Sequence, residues 1–323
     1  MRRYLLARAL QAVVIVALVV TITFLLIHAA PGDPFAATLD NPNVSSSVRA
    51  TLRAQYGLDR PLPEQFARYA SQLARGEMGW SFSHGRPVRS VLAAVVPKTL
   101  LLMGTALVAS FLLGVAVALV QVSRHGSLLD RTLDRISLIL AAMPDFWLAI
   151  LMLLGFTYWL PLFPIGGAVD PIVHDYLSPA GRFLDTVRHL ALPAFTLTLL
   201  YASGIARFQR SALLDVMPSD FIRTARGKGL REREILLRHA MRNASLTLIT
   251  LIGLSLPALL TGAVFIEKVF AWPGMGLTMV DAVGSRDYPL VIGAVIAGSV
   301  LVVAGSLLAD LLYGWADPRL RAS

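Results

Sequence analysis

The sequence predicts an all-α membrane protein whose single transmembrane domain fills residues 1–323 and crosses the bilayer six times. Two observations predict it: apolar residues gathered into long uncharged runs, and Lys and Arg concentrated in alternate segments between them. Hydrophobic residues make up 56% of the 323 positions and charged residues 15%, whereas a soluble domain carries charge at about a quarter of its positions. Core helices of a soluble bundle would show a polar stripe every three to four residues, and these runs lack one. The chain has no Cys, which excludes a disulfide framework, a thiolate metal site and a cysteine nucleophile. A net charge of +9 resembles a nucleic-acid signal, but in a membrane protein excess Lys and Arg collects in cytoplasmic loops. No nucleic-acid partner is expected.

A helix crossing hydrocarbon needs about 20 mostly apolar residues, and its backbone groups must pair within the segment. Six runs qualify: 9–30, 99–122, 136–160 (broken only by Asp145), 190–206 near the lower length limit, 246–266, and 289–312 with Asp310 near its end. Arg2, Arg3 and Arg8 precede the first run, as in a secretory signal. The apolar part of a signal spans about 7–15 residues, so this longer run is expected to remain as the first helix. Ala106, Ser110, Gly114 and Ala118 form a ladder of small residues, and Gly293, Ala297, Gly305 and Ala309 nearly repeat it. Such ladders let helix backbones approach closely, within the chain or between subunits. Pro144, Pro193 and Pro257 mark kinks or breaks that neighbouring helices can tolerate.

Orientation follows from the cations. With the N-terminus inside, inner segments hold 17 Lys and Arg and outer segments 12, eight of these in Pro31–Lys98. Loops beyond about 60 residues escape the charge rule. Without that loop the bias is 17 against 4, so both termini are expected to be cytoplasmic.

The inner segment 207–245 is too long for an ordinary connection, and Arg207–Asn243 reads as two short helices. Ser219 or Asp220 can cap the first, behind Pro218, and Asp220 suits the positive helix end. Phe221, Ile222 and Ala225 fall on one face, with Arg223, Arg226 and Lys228 on others. Gly227 and Gly229 can end this helix, because Gly takes the left-handed cap conformation. The second helix is expected over Glu232–Met241, with Glu234 and Arg238 paired at i,i+4. Three readings fit such a segment: docking into a groove on another protein, lying on anionic lipid, or a solvated basic loop. In the outer loop 31–98, Gln65–Arg75 can form an amphipathic helix, and Phe66, Tyr69, Leu73, Trp80 and Phe82 supply apolar surface.

The run Asp220-Phe-Ile-Arg-Thr-Ala-Arg-Gly-Lys-Gly-Leu230, followed by Leu236-Leu-Arg-His-Ala-Met-Arg-Asn-Ala244, resembles the cytoplasmic signature of ATP-binding-cassette (ABC) importer permeases of the dipeptide/oligopeptide/nickel branch. Met1-Arg-Arg-Tyr-Leu-Leu-Ala-Arg8, Pro31-Gly-Asp-Pro34 and Tyr56-Gly-Leu-Asp-Arg-Pro-Leu-Pro63 match further family blocks in order. So do Phe270-Ala-Trp-Pro-Gly-Met-Gly276, Arg286-Asp-Tyr-Pro289 and Asp317-Pro-Arg319. The long loop after the first span and the Asp-Pro-Arg ending resemble the B-type subunit. The chain departs from the general permease signature: Arg223-Thr224-Ala225 stands where E-A-A would, with Gly229 in register, and His239-Ala240-Met241-Arg242 stands where I-x-L-P would.

The resemblance implies a type I importer permease fold in the cytoplasmic (inner) membrane. It also implies a second, C-type permease, two cytoplasmic ABC ATPases, an extracytoplasmic substrate-binding protein and import by alternating access. The substrate would be short peptides, with nickel chelates, glutathione or another small solute as alternatives. The coupling helix would run from Asp220 to Leu230, with Phe221 and Ile222 as its buried contact and Gly227 and Gly229 fixing its end. Arg223, Arg226 and Lys228 would meet acidic groups on the ATPase, and Thr224 and Ala225 complete the motif. Membrane lipid would surround the spans. ATP and Mg²⁺ would sit on partner subunits, because Gly227-Lys228-Gly229 lacks the hydroxyl and the glycine spacing of a P-loop. The outer loop would help dock the binding protein or serve as a lid packed on the spans. A stand-alone ion-coupled transporter would show internal repeats around a midplane site, and none is visible. Asp145, an intramembrane carboxylate, marks a functional-site candidate by default. It is placed either to face the pathway and meet a substrate ammonium group or to cap the half-helix after Pro144. His28 reads as an interface residue. His84, His125, His174, His189 and His239 show no paired metal spacing, and no catalytic or metal-binding set is expected.

Overall fold

The computed structural model describes residues 2–29, 60–255 and 263–316, and apart from one small hairpin their regular elements are helical. In chain order the elements are α1 (Arg2–Ala29), α2 (Leu62–Ala74), strands β1 (Trp80–Ser81) and β2 (Arg86–Pro87), α3 (Val88–Ser123), α4 (Leu128–Ala142) and α5 (Asp145–Leu153). A π-helical turn at Leu154–Trp159 and a 3₁₀ turn at His174–Tyr176 lead to α6 (Pro179–Val216). Then follow α7 (Asp220–Gly227), α8 (Glu232–Glu234), a π-helical turn at Ile235–Ala240 and α9 (Met241–Ser255), then α10 (Val264–Val269), α11 (Met275–Gly284) and α12 (Tyr288–Ala316). Pro31–Pro34, Pro257 and Asp317–Arg319 lie outside the described residues, as does the Tyr56–Asp59 part of its block.

Among the described residues, three helices are long and apolar enough to cross a membrane: Val88–Ser123, Pro179–Val216 and the Tyr288–Leu307 part of α12. The run expected as one span at 136–160 is instead a broken pair, Leu128–Ala142 and Asp145–Trp159, bent by 106°. The cause is Pro144. A proline disfavours helical backbone in the residue before it, and Met143 adopts φ −83°, ψ 131°. The run expected to be weakest, 190–206, lies inside the longest helix, the 38-residue α6. Its window is 67% buried, so its core is protein rather than lipid and its ends tolerate polar residues. The run 246–266 is described only in part, by α9 and the start of α10. Helix α1 runs Arg2–Ala29, with a shorter apolar stretch at Leu10–Leu26.

The chain forms two compact units, residues 1–97 with 274–304 and residues 98–273 with 305–323. In the first, α2 confirms the amphipathic helix read at Gln65–Arg75. It packs on α1 through Phe24, whose ring lies 5.3 Å from Phe66 and 5.8 Å from Tyr69. The hairpin is held by one carboxylate: Asp287 Oδ2 accepts from Ser81 Oγ (2.7 Å), Ser83 Oγ (2.7 Å) and the Ser83 N–H (2.9 Å). Its Oδ1 accepts from Leu290 N–H at the start of α12. Val88, Val91, Leu92 and Val95 then meet Leu290 and Ala294 in an apolar cluster, with Gly293 directly against Val88.

In the second unit the ladder of small residues packs within the chain. Ala106, Ser110, Gly114 and Ala118 are all buried. The Thr198 hydroxyl lies 3.5 Å from the Ala106 carbonyl oxygen, and Ser110 Oγ lies 3.4 Å from the Thr198 carbonyl. A Cβ at Gly114 would stand 2.7 Å from Ile205 Cγ2 and 3.0 Å from the Ala202 carbonyl oxygen. The α3–α6 contact therefore requires glycine there, since dispersion at close approach replaces the hydrophobic drive that lipid does not supply. The predicted result for Gly114→Val is a loss of about 1–3 kcal/mol, the usual cost of overpacking. Thermal unfolding of the detergent-solubilised protein would show it as a lowered Tm, with a smaller drop for Gly114→Ala.

Candidate functional site

The 207–245 segment begins where α6 ends. Pro218 cannot continue a helix as a donor, and α6 closes at Val216, one residue before the Met217 cap. The Ser219 backbone is extended (φ −67°, ψ 154°) and its carbonyl accepts from Ile222 and Arg223, which starts α7. Ser219 occupies the N-cap position, but its hydroxyl turns back to the Val216 carbonyl rather than capping. The Asp220 side chain is exposed in the first turn, 3.7 Å from Arg223. There it suits the partial positive charge of a helix N-terminus.

The far end of α7 is fixed by glycine. Gly229 has φ +78°, its N–H bonds to the Arg226 carbonyl (2.9 Å), and Leu230 N–H reaches the Ala225 carbonyl (3.3 Å). These two bonds form a Schellman motif, which satisfies carbonyls the helix end leaves unpaired. Leu230 packs on the cluster that holds Ala225, the apolar contact that accompanies such an ending. Across the turn Arg226 grips Glu232 with two bonds, Nε–Oε1 at 2.6 Å and Nη2–Oε2 at 3.2 Å. This bond and the guanidinium charge hold the Glu232 carboxyl below the usual carboxylate range. The expected Glu234–Arg238 pair forms at 2.8 Å. Around it, the helix expected at Glu232–Met241 is one α-turn followed by π-helix that continues into α9.

The faces of α7 separate what the sequence had joined. Ile222 and Ala225 are buried against Leu213, Ile235, Leu236, Ala240 and Ala244, and also against Ala118 and Val122 of α3. Ile222 is 0% exposed, whereas Phe221 is 42% exposed. Of the two residues expected as an outward contact, Ile222 belongs to the protein's own core and Phe221 stands outside it. Arg223, Thr224, Arg226 and Lys228 are also on the open side. The result is a short helix locked by its apolar face to the bundle, presenting one aromatic ring among cations.

Two family models match the chain, and this segment lies within the first. One, described as binding-protein-dependent transport system inner membrane component, matches residues 110–322, and its N-terminal companion matches residues 1–103. The chain belongs to this family. The oligopeptide transport system permease protein AppB of Bacillus subtilis is 35% identical over 99% of both chains. The dipeptide transport system permease protein DppB of Escherichia coli K12 is 34% identical over 93% of both. The probable D,D-dipeptide transport system permease protein DdpB of the same strain is 37% identical over 95% of this chain and 94% of its own.

Elsewhere in this membrane-embedded family member, Asp145 is exposed at the first helical position of α5, behind Pro144 at the N-cap, and makes no side-chain cap bond. It is not part of the apolar cleft lined by Met103, Leu107, Tyr201, Gly204, Ile205, Phe208, Leu251 and Ser255. Two of the histidines read as lacking paired metal spacing share one carboxylate: Asp185 lies 2.6 Å from His174 Nδ1 and 3.2 Å from His189 Nδ1. Sequence reasoning missed Asp130 and Arg210, which pair at 2.9 Å and 3.0 Å. Ser127-x-x-Asp130 is a capping-box pattern and signals the helix start, but nothing in it names a partner 80 residues away.

Gly229→Ala is predicted to cost about 1–2 kcal/mol, the price of a left-handed backbone for an L-residue, since no atom would clash with the new Cβ. Hydrogen exchange would show it as faster exchange at the 229 and 230 amides. Because the Glu232 carboxyl titrates low, protection at this turn should persist at pH 5. It should fall only as pH drops through the lowered value, and Glu232→Gln should remove that pH dependence.

Proposed function

We propose that this chain is the B-type permease subunit of an ATP-driven importer of short peptides. The exposed face of α7 docks in a groove on a cytoplasmic ATPase. The observation that carries the proposal is the division of α7: Ile222 and Ala225 anchor it to the bundle, and Phe221 protrudes among Arg223, Arg226 and Lys228. An exposed aromatic ring on a helix whose other open positions carry cations suits a partner groove that offers both apolar and acidic surface. The names of the relatives support peptides as the cargo.

In this reading the chain spans the inner membrane six times with both termini cytoplasmic. It pairs with a C-type permease, sits on two ATPases that bind ATP and Mg²⁺, and receives cargo from an extracytoplasmic binding protein. ATPase closure moves α7. Because Ile222 belongs to the same buried cluster as Leu213 and Val122, the movement passes to α6 and α3 rather than being lost in a loop. Asp145, carrying no bond that uses up its charge as a cap, remains a candidate for meeting a substrate ammonium group.

Two substitutions one residue apart separate docking from folding. Phe221→Asp is expected to abolish co-purification of the ATPases while leaving membrane yield and Tm unchanged. Ile222→Ala is expected to destabilise by about 2–5 kcal/mol, as large-to-small core changes do. Full ATPase capture and peptide uptake by Phe221→Asp would refute the docking assignment.

A further inference from the structure

At the end of α6 that leads into the docking segment, one carboxylate gathers three elements. Asp130, in the first turn of α4, has a side chain 3% exposed and takes both Nε (2.9 Å) and Nη2 (3.0 Å) of Arg210 from α6. Its Oδ2 also accepts from the Gly126 N–H (3.0 Å) in the α3–α4 turn and lies 3.3 Å from His125 Nδ1. Its backbone carbonyl accepts from Gln121 Nε2 of α3 (3.3 Å), and its N–H bonds to Ser127 Oγ (3.2 Å). Arg210 stands three residues before Leu213, which is fully buried in the same cluster as Ile222, Ala225 and Ile235. Residues of α7 and Leu213 thus share one apolar cluster, Leu213 and Arg210 share one helix, and Arg210 is bonded through Asp130 to the α3–α4 turn.

The chemistry of this joint matters. Apolar contacts are non-directional and allow one helix to slide or roll on another. A two-pronged guanidinium–carboxylate pair fixes distance and rotation together. A pair with its carboxylate buried in this way adds little net stability over an apolar pair, and its best-attested use is to specify geometry. Two buried acceptors in the layer around it, Oε1 of Gln121 and Oε1 of Gln209 on residues 1% and 0% exposed, have no hydrogen-bond partner among the described residues. Buried acceptors without donors call for a reason. Guanidinium has five N–H donors, so Arg210 has spare donors to offer if the layer is rearranged.

We infer that the Asp130–Arg210 pair is the joint through which movement of the docking segment is passed to the α3–α4 turn, making both positioning residues for transport. The inference rests on the reading of α7 as the ATPase-docking helix. The test uses the complete importer in proteoliposomes, with Asp130→Asn, Arg210→Lys and Phe221→Asp compared with wild type. Lys keeps the charge of Arg210 but not its planar fork. The Asp130 and Arg210 variants are expected to retain ATPase capture and basal ATP hydrolysis. Their uptake and their binding-protein-stimulated hydrolysis should fall ~tenfold, within the range seen when coupling elements are altered. Phe221→Asp should lose capture itself. Should Asp130→Asn not accumulate in the membrane, Arg210→Lys decides alone. Wild-type uptake and stimulation in Arg210→Lys would overturn the inference, as would loss of ATPase capture in it, which would make the pair a fold-holding contact only. Failure of the wild type to capture ATPases would instead refute the docking reading on which the joint depends.

Discussion

The structure depends on the burial of one face of an eight-residue helix. Helix α7 is too short to persist alone, because isolated helices under about a dozen residues are marginal in water. It exists because Ile222 and Ala225 insert among Leu213, Ile235, Leu236 and Ala240, and because Gly229 supplies a left-handed ending that no other residue takes without strain. Given that anchorage, Phe221 stands at the edge of the buried face, about 100° around the axis from Ile222 and about 40° from Ala225, and its ring is left partly outside the cluster.

The same constraint explains why the segment is basic yet ordered. Its cations are not free to lie on a surface like those of a floppy polybasic loop. Arg226 is committed to Glu232, and Arg238 to Glu234. These exposed pairs contribute little stability individually, but they set the direction of the chain on either side of the Gly229 turn. On the proposed reading, such order lets a push arriving at α7 reach the bundle without being absorbed by slack.

Much of the architecture was legible in the sequence, because a long uncharged apolar run is stable in few settings besides a bilayer or a deeply buried helix. The ladder at Ala106–Ala118 and the amphipathic helix near Gln65 were legible through periodicity, and both pack as that periodicity requires. Four features were not. The apolar run through 136–160 concealed a break, since hydropathy does not register the backbone restriction that Pro144 places on Met143. The length of α6 was underestimated because burial against protein, not lipid, lets Arg182, Asp185 and Arg210 lie in the same helix as its apolar centre. In α7 the adjacent Phe221 and Ile222 looked equivalent, because a short amphipathic pattern defines an apolar side without saying which neighbour covers it. The Asp130–Arg210 pair was invisible for a different reason: its partners are joined only by the tertiary fold.

The account's central claim is that α7 faces two ways, inward through Ile222 and Ala225 and outward through Phe221. Placing a photo-crosslinking side chain at 221 and, separately, at 225, in membranes that contain the partner subunits, tests it most directly. The account predicts an adduct with the ATPase from position 221 and only intrachain adducts from position 225. An ATPase adduct from 225 with none from 221 would contradict it.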